Sequence, residues 1–144
     1  NGLCADFTIH DPIAEPEPVV ALQQVEAHEE LHAGTQVKTL GADKGYHRKA
    51  FVAQCREQGM APHVACKAGV KVPGLDGRTT AQESYRLSQR IRKRVEEIFG
   101  WLKTVGGLRR SRYRGRERTQ AWGYFVAGTY NLLRMARLAL ARAN

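Results

Sequence analysis

Apolar and polar positions change period several times along the chain, and each change marks an element. Residues 2–9, GLCADFTI, alternate weakly and read as a strand, and a polar, proline-bearing turn follows at 10–18. Over residues 19–32, VVALQQVEAHEELH, the period lengthens to that of a helix, which Gly34 stops. Residues 35–40 are a β-rich run into Gly41-Ala42-Asp43, so Asp43 falls at the C-terminal end of a strand. Helical spacing returns at 47–58 with Gly59 as its cap, and residues 60–66, MAPHVAC, read as a short strand that Pro62 places at an edge. Residues 67–83 are punctuated by glycine and proline and read as a loop or insertion. A helix is expected over 87–105, ended by Gly106-Gly107. Residues 109–118 are irregular, and residues 119–143, rich in Ala, Leu and aromatics, read as a long packing helix. The order strand, helix, strand, helix, strand, loop, helix, helix predicts an α/β fold with helices on the faces of a sheet. Ligands of such sheets collect at strand C-terminal edges, where Asp43 lies.

The run QRIRKRVEEIFGWLK, residues 89–103, separates two stripes on a helical wheel. Ile91, Val95, Ile98 and Leu102 share one side and predict a core stripe. Arg92, Glu96 and Lys103 fall beside it as a second, charged stripe, while Glu97 points away among Arg90 and Arg94. A carboxylate on the shoulder of a buried face, flanked by two cations, suits a metal ligand. An ordinary i,i+4 pair of Arg92 with Glu96 is the simpler alternative.

Charge narrows the class of partner. The net charge is +9. Residues 1–33 carry seven acids and no Lys or Arg, whereas residues 86–118 carry twelve basic and three acidic groups, a local excess equal to that of the whole chain. Clustering of that kind favours a polyanion such as DNA, with a solvated basic face as the simpler alternative. Arg134, Arg137 and Arg142 interrupt the apolar C-terminal stretch, so no membrane span is expected. Cys4, Cys55 and Cys66 have no zinc-knuckle spacing and read as reduced thiols, which fits a cytoplasmic protein.

Two constellations carry candidate chemistry. His28-Glu29-Glu30-Leu31-His32 matches H-E-x-x-H, in which two histidines would share zinc while Glu29 activates water. Against it, Glu30 charges an inner position, Thr35 and Lys38 stand where a third-ligand motif needs Gly and His, and the whole segment is acidic. The second joins Asp43 to Glu96. Carboxylates from a strand edge and a distant helix can hold hard cations about 3.5 to 4 Å apart, which stabilise both oxygens of an in-line phosphoryl displacement. Asp43 also reads as an ordinary cap on the element that follows it.

ADKGYH at 42–47, a following helix, R-x3-E-x6-K realised as Arg92, Glu96 and Lys103, and then GLRRSRYRG together resemble the bacterial insertion-sequence transposases with an Asp-Asp-Glu (DDE) active site. The glutamate helix of that family bears Y-x2-R-x3-E-x6-K. Gln89 takes the tyrosine place here. The resemblance implies a ribonuclease H-like fold, with a mixed sheet flanked by helices and a helical C-terminus. It implies Asp43 and Glu96 as catalytic, metal-binding carboxylates for Mg²⁺ or Mn²⁺ in a two-metal site. It implies that Arg92 and Lys103 contact DNA at transposon ends and target, in a homo-oligomer associated with the nucleoid. Arg109, Arg110, Arg112, Arg114, Arg116 and Arg118 are expected to follow phosphates as an extended track. No first aspartate is found: by strand order residues 2–9 match the third strand of such a sheet, and Asp6 is not expected to be the ligand. Residues 1–144 therefore read as one partial catalytic domain, the C-terminal portion of a transposase lacking the first strands.

Overall fold

The computed structural model describes residues 2–11 and 13–143. Its contacts divide the chain into two compact units, Pro12–Lys93 in one and Asn1–Asp11 with Arg94–Asn144 in the other.

The first unit begins with α1 (Glu17–Leu31), which opens two residues before the expected start because Pro18 sits in the first turn, where a missing N–H is harmless. Strand β1 (Thr39–Ala42) pairs in parallel with β2 (Ala61–Val64), Gly41 opposite His63 and Ala42 opposite Val64. Ala61 and Ala65 donate their N–H groups to Lys38 and Ala42 carbonyls at 2.8 and 3.0 Å, so Pro62 occupies an alternate position where no ladder bond is lost. Between the strands, a single 3₁₀ turn (Lys44–Tyr46) leads into α2 (Lys49–Glu57). Phe51, Val52 and Cys55 lie on one face of α2 and are buried with Leu22, Met60 and Val64. Burial pushes the Cys55 thiol up to about 11, which keeps it protonated and packed as a small apolar group.

The stretch expected to be a loop holds more structure than its punctuation suggests. Val72 bridges to Leu75, a short helix α3 (Gly77–Thr80) is capped by Asp76, and Val72 and Leu75 are buried in the same core. Glycine and proline there shape the turns; the apolar residues between them supply packing.

The helix expected over 87–105 is interrupted. Helix α4 (Glu83–Ile91) stops at Arg92, and α5 (Lys93–Thr104) starts at the next residue. The apolar stripe divides likewise: Ile98 and Leu102 are buried, whereas Ile91 and Val95 are 42% and 49% exposed. Periodicity reported a helical stretch correctly and missed that its two halves serve different packing.

In the second unit, Ile98 and Leu102 of α5 pack with Val126 and Ala127 of α6 (Arg116–Ala143). The turn after α5 closes through Gly106 N–H to Trp101 O and Leu108 N–H to Leu102 O, both 3.0 Å, with Gly107 at φ +69°. Residues 2–9 are not a strand. Amides of α6 satisfy their backbone instead: Asn131 accepts from Cys4 N–H and donates to Cys4 O, and Gln120 does the same for Ile9 N–H and Phe7 O. Side-chain amides thus supply what a neighbouring strand would have supplied, and the weak alternation fits either. Among the described residues the sheet is two-stranded and wholly parallel, where a mixed sheet was expected.

Phe7 reaches α6 only because position 123 has no side chain: a Cβ there would lie 2.3 Å from the Phe7 ring. Gly123→Ala is expected to destabilise the protein by about 1–3 kcal/mol through overpacking. Phe51→Ala should cost about 3–5 kcal/mol through a cavity in the other core. Urea midpoints measure both, and an unshifted Gly123→Ala midpoint would refute the Phe7 contact.

Candidate functional site

β1 delivers Asp43 at its C-terminal end with extended backbone, φ −79° and ψ −177°. Asp43 Oδ1 accepts from Gly45 N–H at 2.6 Å and caps the 3₁₀ turn, so the simple capping role is realised. The second oxygen has no hydrogen-bond partner among the described residues, and the residue is exposed. A Cβ at position 45 would fall 2.9 Å from Oδ1, so glycine permits this tight approach. Two anchors fix the loop from behind. The buried His47 ring accepts the Lys67 N–H through Nδ1 at 3.2 Å, and Tyr46 bonds Glu17. Burial first, then Glu17 and finally the Asp43 charge hold the Tyr46 hydroxyl well above its ordinary range.

In the same unit, α4 docks on β2 through polar groups. Tyr85 hydroxyl donates to Val64 O at 2.8 Å, Ser88 Oγ meets His63 Nδ1 at 2.7 Å, and Gln89 Nε2 donates to His63 O at 2.6 Å. The residue paired with His63 on β1 is Gly41, where a Cβ would stand 3.9 Å from Ser88 Cβ, an ordinary contact, so the docking rests on these polar bonds and not on the missing side chain. Gln89 Oε1 in turn accepts from Arg92 Nε at 3.1 Å. Burial, together with the bond and charge of Cys66, pushes the Tyr85 hydroxyl up to about 12 against the opposing pull of Arg92, so Tyr85 remains a donor at neutral pH. Sequence patterning missed this cluster. Its one signal was three polar residues, Tyr85, Ser88 and Gln89, at helical spacing on a single side.

Glu96 and Lys103 lie in the second unit on α5, in its first and last turns, both exposed. Seven residues apart, they share a face, and their signs also suit the helix dipole. The arginine-rich segment is not an extended track. Residues 112–115 bend, Ser111 Oγ accepts from Tyr113 N–H and donates to Tyr113 O, and Thr119 Oγ1 donates to Gly115 O at 2.8 Å. Gly115 adopts φ +91° at the bend, and Arg116 and Arg118 belong to the first turn of α6. Alternation had suggested extension, but hydroxyl clasps and a left-handed glycine coil the segment into a compact loop. All six arginines are exposed.

H-E-x-x-H has another use. His32 lies past the end of α1, its Nδ1 sits 2.9 Å from His28 O, the two rings stack at 4.3 Å, and Glu29 Oε1 accepts from Val37 N–H at 2.6 Å. Glu29 therefore uses one carboxylate oxygen to hold the approach to β1. Among the described residues no three His, Cys, Asp or Glu side chains form a metal-binding group. Asp43 and Glu96 each remain exposed oxygen donors, a chemistry that suits a hard divalent cation.

A family model described as the transposase DDE domain matches residues 19–132, a span holding Asp43, Arg92, Glu96, Lys103 and the arginine loop. No curated protein and no solved structure matches the chain.

His63 is 1% exposed, and its Nε2 has no hydrogen-bond partner among the described residues. Burial, aided by the Arg56 charge, lowers its pKa from the ordinary value. An unfolded chain then binds the proton more readily, so stability is full above the unfolded value of about 6.5 and falls as pH drops below it. Urea midpoints should decrease from about pH 7 to about pH 5, and His63→Gln should flatten that part of the dependence. Equal slopes in both proteins would refute it.

Proposed function

The chain belongs to the DDE transposase family, and from that premise we propose that it acts in DNA transposition through metal-dependent cleavage and strand transfer, on a ribonuclease H-like framework of bacterial insertion-sequence type. The observation that carries the reading is the family match across residues 19–132 combined with an exposed Asp43 at the end of a parallel strand. In open α/β sheets that position is where ligands gather.

Asp43 and Glu96 are the carboxylates that would hold Mg²⁺ or Mn²⁺. A divalent ion supplies Lewis-acid charge for phosphoryl transfer when bound. The chain's own residues do the rest. Asp43 keeps one oxygen on the Gly45 N–H, so its carboxylate is oriented before any ligand arrives. Arg92 and Lys103 neutralise phosphate oxygens near the scissile bond, and Arg109, Arg110, Arg112 and Arg114 from the loop, with Arg116 and Arg118 from the first turn of α6, bind backbone phosphates without reading bases. The pairing of Asp43 with Glu96 rests on the family membership.

Glu96→Gln in the transposition-competent protein is expected to reduce strand cleavage by more than about a hundredfold with DNA affinity retained. Removal of an outer-shell partner alone already costs about 10- to 100-fold. A binding module without catalysis would lose nothing. With two of the family's three carboxylates assigned, residues 1–144 alone should bind DNA without nicking it. If about five arginines meet phosphates, the log–log salt slope is near −4.5. A slope near zero, or robust Mg²⁺-dependent nicking, would overturn the corresponding half of that expectation.

A further inference from the structure

The amide of Gln89 is bonded at both ends within one compact unit. Nε2 donates to the carbonyl of His63 at 2.6 Å, and Oε1 accepts from Arg92 Nε at 3.1 Å. The two ends differ in kind. His63 belongs to β2, whose position is set by its register with β1. Arg92 is the residue at which α4 stops, with a half-buried side chain that makes no other hydrogen bond among the described residues.

Three consequences follow from bond chemistry. An arginine held at Nε keeps the N–H groups of both terminal nitrogens, the edge that grips two oxygens of a phosphate side by side. A guanidinium fixed before binding also spares the ordering cost of a long side chain, which otherwise lowers affinity by about 2- to 12-fold. Among side chains of this length, an amide alone both donates to the strand carbonyl and accepts from Nε without cancelling the charge. Glutamate lacks the donor, and methionine lacks both functions.

We propose that Gln89 is a positioning residue that tethers the Arg92 guanidinium to β2 and presents its two terminal nitrogens to a phosphate of the DNA backbone. This rests on the reading of Arg92 as a phosphate contact given above.

The test uses the full 144-residue chain and a short DNA duplex of arbitrary sequence. Arg92→Ala is expected to lower affinity about tenfold and the magnitude of the salt slope by about 0.9. Gln89→Met should lower affinity by about 2- to 12-fold with the slope unchanged, because the charge is still there but no longer aimed. Added to Arg92→Ala, Gln89→Met should do nothing further. A loss as large in that background as in the unaltered chain overturns the proposal and leaves the phosphate reading of Arg92 intact. Arg92→Ala without any loss overturns the phosphate reading, and the presenting role with it.

A second readout needs no DNA. Exchange of the Arg92 Nε–H with solvent, followed by NMR, should be slow in the unaltered chain and in Gln89→Glu, which keeps the acceptor, and fast in Gln89→Met. Equal exchange in all three overturns the tether. Should Gln89→Met fail to fold, fast exchange in the unaltered chain overturns it alone.

Discussion

A parallel pairing of two four-residue strands is the constraint on which the first unit depends. Parallel ladders that short are marginal by themselves, so β1 and β2 need support from both sides of the chain between and after them. The face of α2 supplies one support by burying Phe51, Val52 and Cys55 against Val64. The polar side of α4 supplies the other, bonding the Val64 and His63 carbonyls through Tyr85 and Gln89. The pairing in turn sets where Asp43 emerges, one residue past Ala42.

Polar docking explains why α4 differs from every other helix here. None of its residues is buried, yet its placement on β2 is specified by three hydrogen bonds of 2.6 to 2.8 Å. Hydrogen bonds to a strand's carbonyls are directional where apolar contacts are not, and each contributes only about 1 kcal/mol net. They fix register more than they add stability. Those bonds also fix where α4 ends, at Arg92.

The second unit uses the same economy in reverse. Residues 2–9 lack a strand partner among the described residues, and Gln120 and Asn131 of α6 bond the backbone of Cys4, Phe7 and Ile9 instead. Apolar contacts of Phe7 against Gly123 and of Ile98 and Leu102 against Val126 then close the core. The arginine loop leaves this core with every charge exposed, held in shape by Ser111 and Thr119 hydroxyls on its own backbone. Positive charge is thereby concentrated on a preformed loop.

Local chemistry was legible from residues alone. Helices α1 and α2 follow from helical spacing and their glycine stops, α6 from a run rich in Ala, Leu and aromatics, Asp43 at a strand end follows from a β-rich run meeting Gly41, and R-x3-E-x6-K with ADKGYH carried the family resemblance. Each of these depends on neighbours in sequence, so spacing encodes it. Three features depended on partners far along the chain: the break at Arg92, the backbone of residues 2–9 bonded to α6, and the bridge from His63 through Gln89 to Arg92. A periodic pattern states that a face is apolar but not which core it meets, and an amide or hydroxyl acquires its role only from the groups that folding brings to it.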